Sequence, residues 1–293
     1  MIPKELLQKI KKLEIKTRHI VNTTFSGEYH SVFKGQGINF AEVRIYQPGD
    51  DIRAIDWNVT AKTGVPHVKL FEEERELTVI LAIDMSASNN FGSHDQTKAE
   101  IAAEIAAILG FSASRNKDKI GLLLFTDQIE HYIPPKKSKQ HMMRILRDIF
   151  YFKPKNKKTS IACALDYLLK VNKKKAICFL ISDFLDTNYE HLLRIAAKRF
   201  DLIPIVMEDP REFVLPRAGI VSLENPESGE MIMINTGKLD NRATHRNIIK
   251  AKKHELNRLF QATKLKPIKI NCAQNYINPL SKYFRQRAKK ILG

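Results

Sequence analysis

The stretch LTVILAIDMSAS, residues 77–88, decides the fold. Leu77 to Ile83 form a nearly unbroken apolar run, as a strand buried on both faces requires. The chain then turns polar at Asp84. Downstream, TKAEIAAEIAAILGFSASR (97–115) is a helix of Ala, Ile and Glu, and KIGLLLFTD (119–127) is a second buried strand. IEHYIP (129–134) reads as an edge strand. SKQHMMRILRDIF (138–150) and SIACALDYLLK (160–170) read as helices, KAICFLISD (175–183) as a strand, NYEHLLRIAAKR (188–199) as a helix and DLIPIVMED (201–209) as a strand. Strands alternating with helices predict an α/β protein with a doubly wound, mostly parallel sheet.

Beyond that rhythm, GIVSLENPESGEMIMINTG (219–237) holds two alternating runs around Pro226 to Gly229 and predicts a β-hairpin insertion within 211–237. A long basic helix follows, with Ile248, Ile249, Leu256, Leu259 and Phe260 on one face. KPIKINC (266–272) reads as the last strand. NPLSKYFRQRAKKIL (278–292) closes the chain as a helix that aligns Leu280, Phe284, Ala288 and Ile291. Upstream, Leu6, Leu7, Ile10 and Leu13 make a short helical stripe among lysines, and residues 21–75 carry the glycines and charges of short strands and turns. The expected division is 1–75 and 76–293.

Of the 293 residues 43% are hydrophobic, enough for a core, which excludes general disorder. No run approaches the ~18 apolar residues of a membrane span, and the charged N-terminus lacks a signal peptide's apolar centre. The three cysteines read as buried thiols of a reducing compartment, so a cytoplasmic location is expected. The net charge of +17 sits at the ends. Residues 1–20 hold six Lys/Arg against two acids, residues 238–293 hold fifteen against two, and the stretch between is neutral.

Ligands of an open parallel sheet bind at the carboxyl ends of its strands. Asp84, Ser86 and Ser88 follow the first core strand at alternating positions, which turns one carboxylate and two hydroxyls to one side. Asp183 closes a later strand, and Thr159 begins a helix after a basic loop. Hard oxygen donors of modest charge suit Mg²⁺. The same residues have a plainer use, because Asp84 or Thr159 can also cap the following helix.

The segment YQPGDDIRAIDWNVTAKTG (46–64) is a second concentration of unusual residues. Pro48-Gly49 suits a type II turn, which brings Asp50 and Asp51 near Arg44 and Arg53. One reading is a self-neutralised ion-pair clamp, with Trp57 as the apolar anchor that docks the segment onto the sheet domain. A second metal site from Asp50, Asp51 and Asp56 and an exposed recognition surface are the alternatives. Gly35-Gln36-Gly37-Ile38-Asn39-Phe40 lacks the third glycine of a dinucleotide fingerprint. A phosphate-binding Gly-x₄-Gly-Lys motif and a zinc-ligand spacing are both missing from the sequence.

DMSAS, the Thr159 loop and ISDF resemble the metal-ion-dependent adhesion site of von Willebrand factor A domains. That resemblance implies a bound Mg²⁺, or another divalent cation, that grips an acidic residue of a partner. In ISDF, phenylalanine stands where the adhesion site more usually has glycine, and Lys157-Lys158 precede the threonine where glycine is frequent. SGEYHSVFKGQGINFAEVRIYQPGDDIRAIDWNVTAK (26–62), with Arg44, Tyr46, Pro48, Gly49, Asp50, Asp51, Arg53, Asp56 and Trp57 in its second half, resembles the signature of domain-of-unknown-function family 58. That family commonly carries a von Willebrand A domain and is often associated with MoxR-type AAA+ ATPases.

The resemblances imply a non-enzymatic, metal-dependent adaptor. The alternative is attachment of the basic ends to an acidic surface, an anionic membrane or nucleic acid, with nucleic acid disfavoured because few aromatics accompany the C-terminal lysines. A metal-dependent hydrolase using Asp84 and Asp183 ranks third, because no general base is nominated.

Overall fold

The computed structural model describes residues 39–72, 76–93 and 96–292, together with Ile15, Thr17, Ile20, Val21 and Val32. The expected N-terminal stripe (Leu6, Leu7, Ile10, Leu13) and Gly35 to Ile38 lie outside the described residues. The chain divides into two compact units, Phe33–Leu77 and a larger one containing Thr78–Gly293. Among the described residues no helix is long and apolar enough to cross a membrane.

In the smaller unit β1 (Asn39–Ile45) and β2 (His67–Glu72) pair antiparallel, with α1 (Trp57–Thr63) between them. The type II turn forms as read: Asp50 N donates to Gln47 O at 3.0 Å, and Gly49 takes the positive φ, +108°, that this turn requires at its third residue. Arg44 closes it with a bidentate pair, Nη2 to Asp50 Oδ1 at 2.7 Å and Nη1 to Oδ2 at 2.8 Å. Hydrogen bonds from Arg44 and from the Gln47 amide hold the Asp50 carboxyl below the usual aspartate range.

Two expectations here are corrected, for Asp51 and for Trp57. Asp51 takes the backbone N–H of Arg53 at 2.9 Å and caps a turn of 3-10 helix, so no hydrogen bond or ion pair joins it to the Arg53 guanidinium among the described residues. Asp56 caps α1 through Asn58 N and Val59 N and lies 3.5 Å from Lys69. Trp57 is 68% exposed and is no buried anchor. The helix α1 itself was readable from Asp56 before it and Gly64 after it.

The larger unit contains β3 (Thr78–Asp84), α2 (Lys98–Arg115), β4 (Lys119–Phe125), β5 (Ile129–Lys136), α3 (Lys139–Tyr151), α4 (Ile161–Val171), β6 (Ile177–Ser182), α5 (Glu190–Arg199) and β7 (Asp201–Glu208). After these come the short α6 (Pro210–Phe213), β8 (Ile220–Glu224), β9 (Met231–Asn235), α7 (Leu239–Ala262), β10 (Ile268–Asn271) and α8 (Ile277–Leu292). Six strands form one sheet in the order β10-β7-β6-β3-β4-β5. Every pair is parallel except the β4–β5 edge. The doubly wound expectation is met, and β8 and β9 form the separate antiparallel hairpin.

Burial explains the pattern. Val79 to Ile83 are at most 2% exposed because helices cover both faces of the sheet. Helix α2 starts at a capping box, Thr97 with Glu100, and is buried on nearly every side, which is why its sequence is apolar all round. Helix α7 is different. Phe260 is buried and Leu256 and Leu259 pack partly against the core, but Ile248 is 54% exposed, so the apolar face expected there does not extend to it. Leu280 and Phe284 of α8 are fully buried. The cysteines are free, and burial pushes the Cys178 and Cys272 thiols up to about 12.

Candidate functional site

The chain passes from β3 to β4 on one side of β3 and returns to β6 on the other. The order reverses between β3 and β6, and a crevice opens at the carboxyl ends of those two strands. Asp84 ends β3 and Asp183 follows β6, so topology places both carboxylates at this switch point.

Both oxygens of Asp84 are held. Ser86 N donates to Oδ1 at 2.9 Å and Ser182 Oγ donates to Oδ2 at 2.7 Å. The hydroxyl oxygens of Ser86 and Ser88 lie 3.0 Å apart. Ala87 N donates to Lys157 O at 2.9 Å, which ties this loop to the one that carries Thr159. Thr159 and Ser88 line one cleft of about 500 Å³ with Asp186 and Glu227. Asp84, Ser86, Ser88 and Asp183 are all buried, and Ser88 and Thr159 lie on the wall of this cleft.

Of the sequence-predicted residues, Asp84, Ser86 and Ser88 form one connected group and Thr159 shares a cleft with Ser88. Asp183 is committed elsewhere. Its Oδ2 accepts from Lys98 Nζ at 2.9 Å, and the same ammonium donates to Glu212 Oε1 at 2.6 Å. Lys98 is fully buried. Burial opposes its charge, yet the two carboxylates outweigh burial and hold its pKa above the lysine value. Among the described residues no cationic side chain pairs with Asp84. Burial, and then the charge of Asp183, pushes its carboxyl up to about 7.

This arrangement fits a divalent cation. Among the described residues the Asp84 carboxylate has no cationic partner and sits beside the Ser182 and Ser86 hydroxyls, with the Ser88 hydroxyl next to that of Ser86, all hard donors. Among the described residues no three His, Cys, Asp or Glu side chains gather as a metal cluster, so the hydroxyls would carry much of the coordination.

The residue after Asp183 adds a backbone feature. Phe184 has φ +58°, the left-handed region that glycine enters freely and L-residues enter at a cost. Phe184 is retained by burial at 4% exposure and by its edge-on contact with Phe260 at 5.5 Å between ring centroids.

Sequence reading missed Ser182, Lys98, Glu212 and Glu227. Ser182 was visible as the polar residue ending the β6 run. Glu227 lies in the turn of the hairpin and accepts from Thr159 Oγ1 at 2.6 Å, a contact between positions 68 apart that no local pattern announces.

The larger unit is thus an α/β domain with a doubly wound, mostly parallel sheet and this loop set at its switch point. The chain belongs to the family described as "Protein of unknown function DUF58", whose model matches residues 42–255. It is 33% identical over 228 residues to the uncharacterized protein Rv1480 of Mycobacterium tuberculosis, covering 77% of this chain and 72% of that one. It is 25% identical over 184 residues to the uncharacterized protein YeaD of Bacillus subtilis, covering 63% and 43%. Among solved structures, the conserved hypothetical protein BatB of Bacteroides thetaiotaomicron aligns with a TM-score of 0.48 at 14% identity, over 73% of this chain and 99% of that one.

Proposed function

We propose that this chain is a non-enzymatic protein-interaction module whose larger unit grips a carboxylate of a protein partner through a divalent cation, Mg²⁺ in the first instance. Asp84, Ser86, Ser88 and Thr159 would hold the ion, and Asp183 would add its charge from behind. The ion supplies a Lewis-acidic position to which a carboxylate oxygen can bind.

The residues of the chain do the rest. Ser86 N and Ser182 fix the Asp84 carboxylate, and Lys98 fixes Asp183, so the oxygen donors are set before a partner arrives. The cleft beside Ser88 and Thr159 gives the partner side chain its approach. The observation that carries the reading is the buried Asp84 carboxylate, without a cationic partner among the described residues, beside the hydroxyls of Ser182, Ser86 and Ser88. The family resemblance supports a MoxR-type AAA+ ATPase as partner, with the chain as its cytoplasmic adaptor, resting at most against the membrane surface.

The test is affinity capture with the wild type and with Asp84→Ala, each in Mg²⁺ and in EDTA. The expected result is that EDTA and the substitution remove the same species, a MoxR-type ATPase among them, while both proteins keep the same circular dichroism. Capture that is indifferent to EDTA would count against the proposal.

A further inference from the structure

The acceptor for Thr159 is not a solvent molecule or a neighbouring loop but a carboxylate from the hairpin insertion. Glu227 is half-buried while Asn225, Pro226, Ser228 and Gly229 around it are exposed, so its side chain is the part of the turn that faces inward. It lines the cleft together with Ser88 and Thr159, the two ligand candidates on the wall of that cleft. A carboxylate held on the ligand hydroxyl is the group that the proposed function assigns to a partner.

The hairpin that carries it is lightly held. Met231, Ile232 and Met233 are 70%, 57% and 76% exposed, and since successive strand residues point to opposite faces, neither face of β9 is covered at its start. A two-stranded hairpin packed on neither face is marginal by itself, and switching segments are drawn from such low-stability regions. The turn is closed by Asn225 N to Glu230 O and Gly229 N to Asn225 O, both 2.8 Å, so these two amides report how firmly the tip is held.

We infer that Glu227 is a built-in ligand of the metal site, occupying the position that a partner's carboxylate must take, and that the β8–β9 hairpin is the gate displaced when the partner binds. The inference rests on the metal-site reading above.

Hydrogen exchange of the Asn225 and Gly229 amides, read with and without Mg²⁺, tests it alongside Mg²⁺ affinity in the wild type, Glu227→Ala, Glu227→Gln and Asp84→Ala. Mg²⁺ is expected to slow exchange of these amides in the wild type and to leave it unchanged in both Glu227 variants. Those variants are expected to bind the ion about tenfold more weakly, since affinity follows ligand charge. Equal affinity and equal exchange in wild type and Glu227→Ala, with binding lost in Asp84→Ala, would overturn the role of Glu227 and leave the metal site standing. Failure of the wild type itself to bind Mg²⁺ would overturn both.

Discussion

Replacing Lys98 by methionine is expected to lower the folding stability by about 3–5 kcal/mol, the usual cost of removing one partner from a buried ion pair. The ammonium is fully buried and holds two carboxylates at 2.9 and 2.6 Å, with Asp183 itself 3% exposed at the side chain. Methionine fills nearly the same volume, so lost packing contributes little. What remains is the charge of Asp183 and Glu212 with no cation between them.

The sign of the pH dependence follows. Burial already raises Glu212 above the glutamate value against the pull of Lys98. Without Lys98 the Glu212 carboxyl would lie still further above its unfolded value. Stability is then present at low pH and lost as pH rises through the raised value, so the deficit of Lys98→Met should be larger at pH 8 than at pH 5. Urea denaturation at the two pH values measures it. A loss below about 1 kcal/mol at pH 8, the size of a surface pair, would mean that Lys98 does not hold the site's rear wall.

At Phe184 the expected order of substitutions is the reverse of the ordinary one. Truncation to alanine removes a ring buried at 4% exposure against Phe260 and Tyr189 and should cost about 3–5 kcal/mol. Glycine removes one carbon more, yet at φ +58° it is relieved of the left-handed penalty of about 1–2 kcal/mol that alanine keeps. Phe184→Gly should therefore be more stable than Phe184→Ala by about 1 kcal/mol, read from denaturation midpoints. Alanine proving the more stable of the two would show that the backbone beside Asp183 carries no such cost.

The larger unit was legible because strands buried on both faces are written as apolar runs, and β3, β4, β6 and β7 are such runs. The face of α7 was overextended because its apolar spacing continues to Ile248 after the core has ended. Trp57 misled for a related reason: a lone large aromatic reads as an anchor, but exposure depends on what packs over it, which spacing does not encode. Within the site, Asp84, Ser86 and Ser88 were legible because one loop carries them. Lys98 and Glu227 were not. Their partners lie 85 and 68 positions away, and a lysine at a helix start or a glutamate in a turn is ordinarily solvated. Phe184 stands between the two cases, since its departure from glycine was visible but the backbone angle that gives it meaning was not.

The proposed cation site, oxygen donors from separate loops at the β3–β6 switch point, can be read by calorimetric titration of EDTA-stripped protein with Mg²⁺, for the wild type beside Asp84→Ala. Saturable single-site uptake by the wild type and none by Asp84→Ala, at unchanged secondary structure, is expected. Absence of uptake by the wild type, or uptake that Asp84→Ala retains, would contradict it.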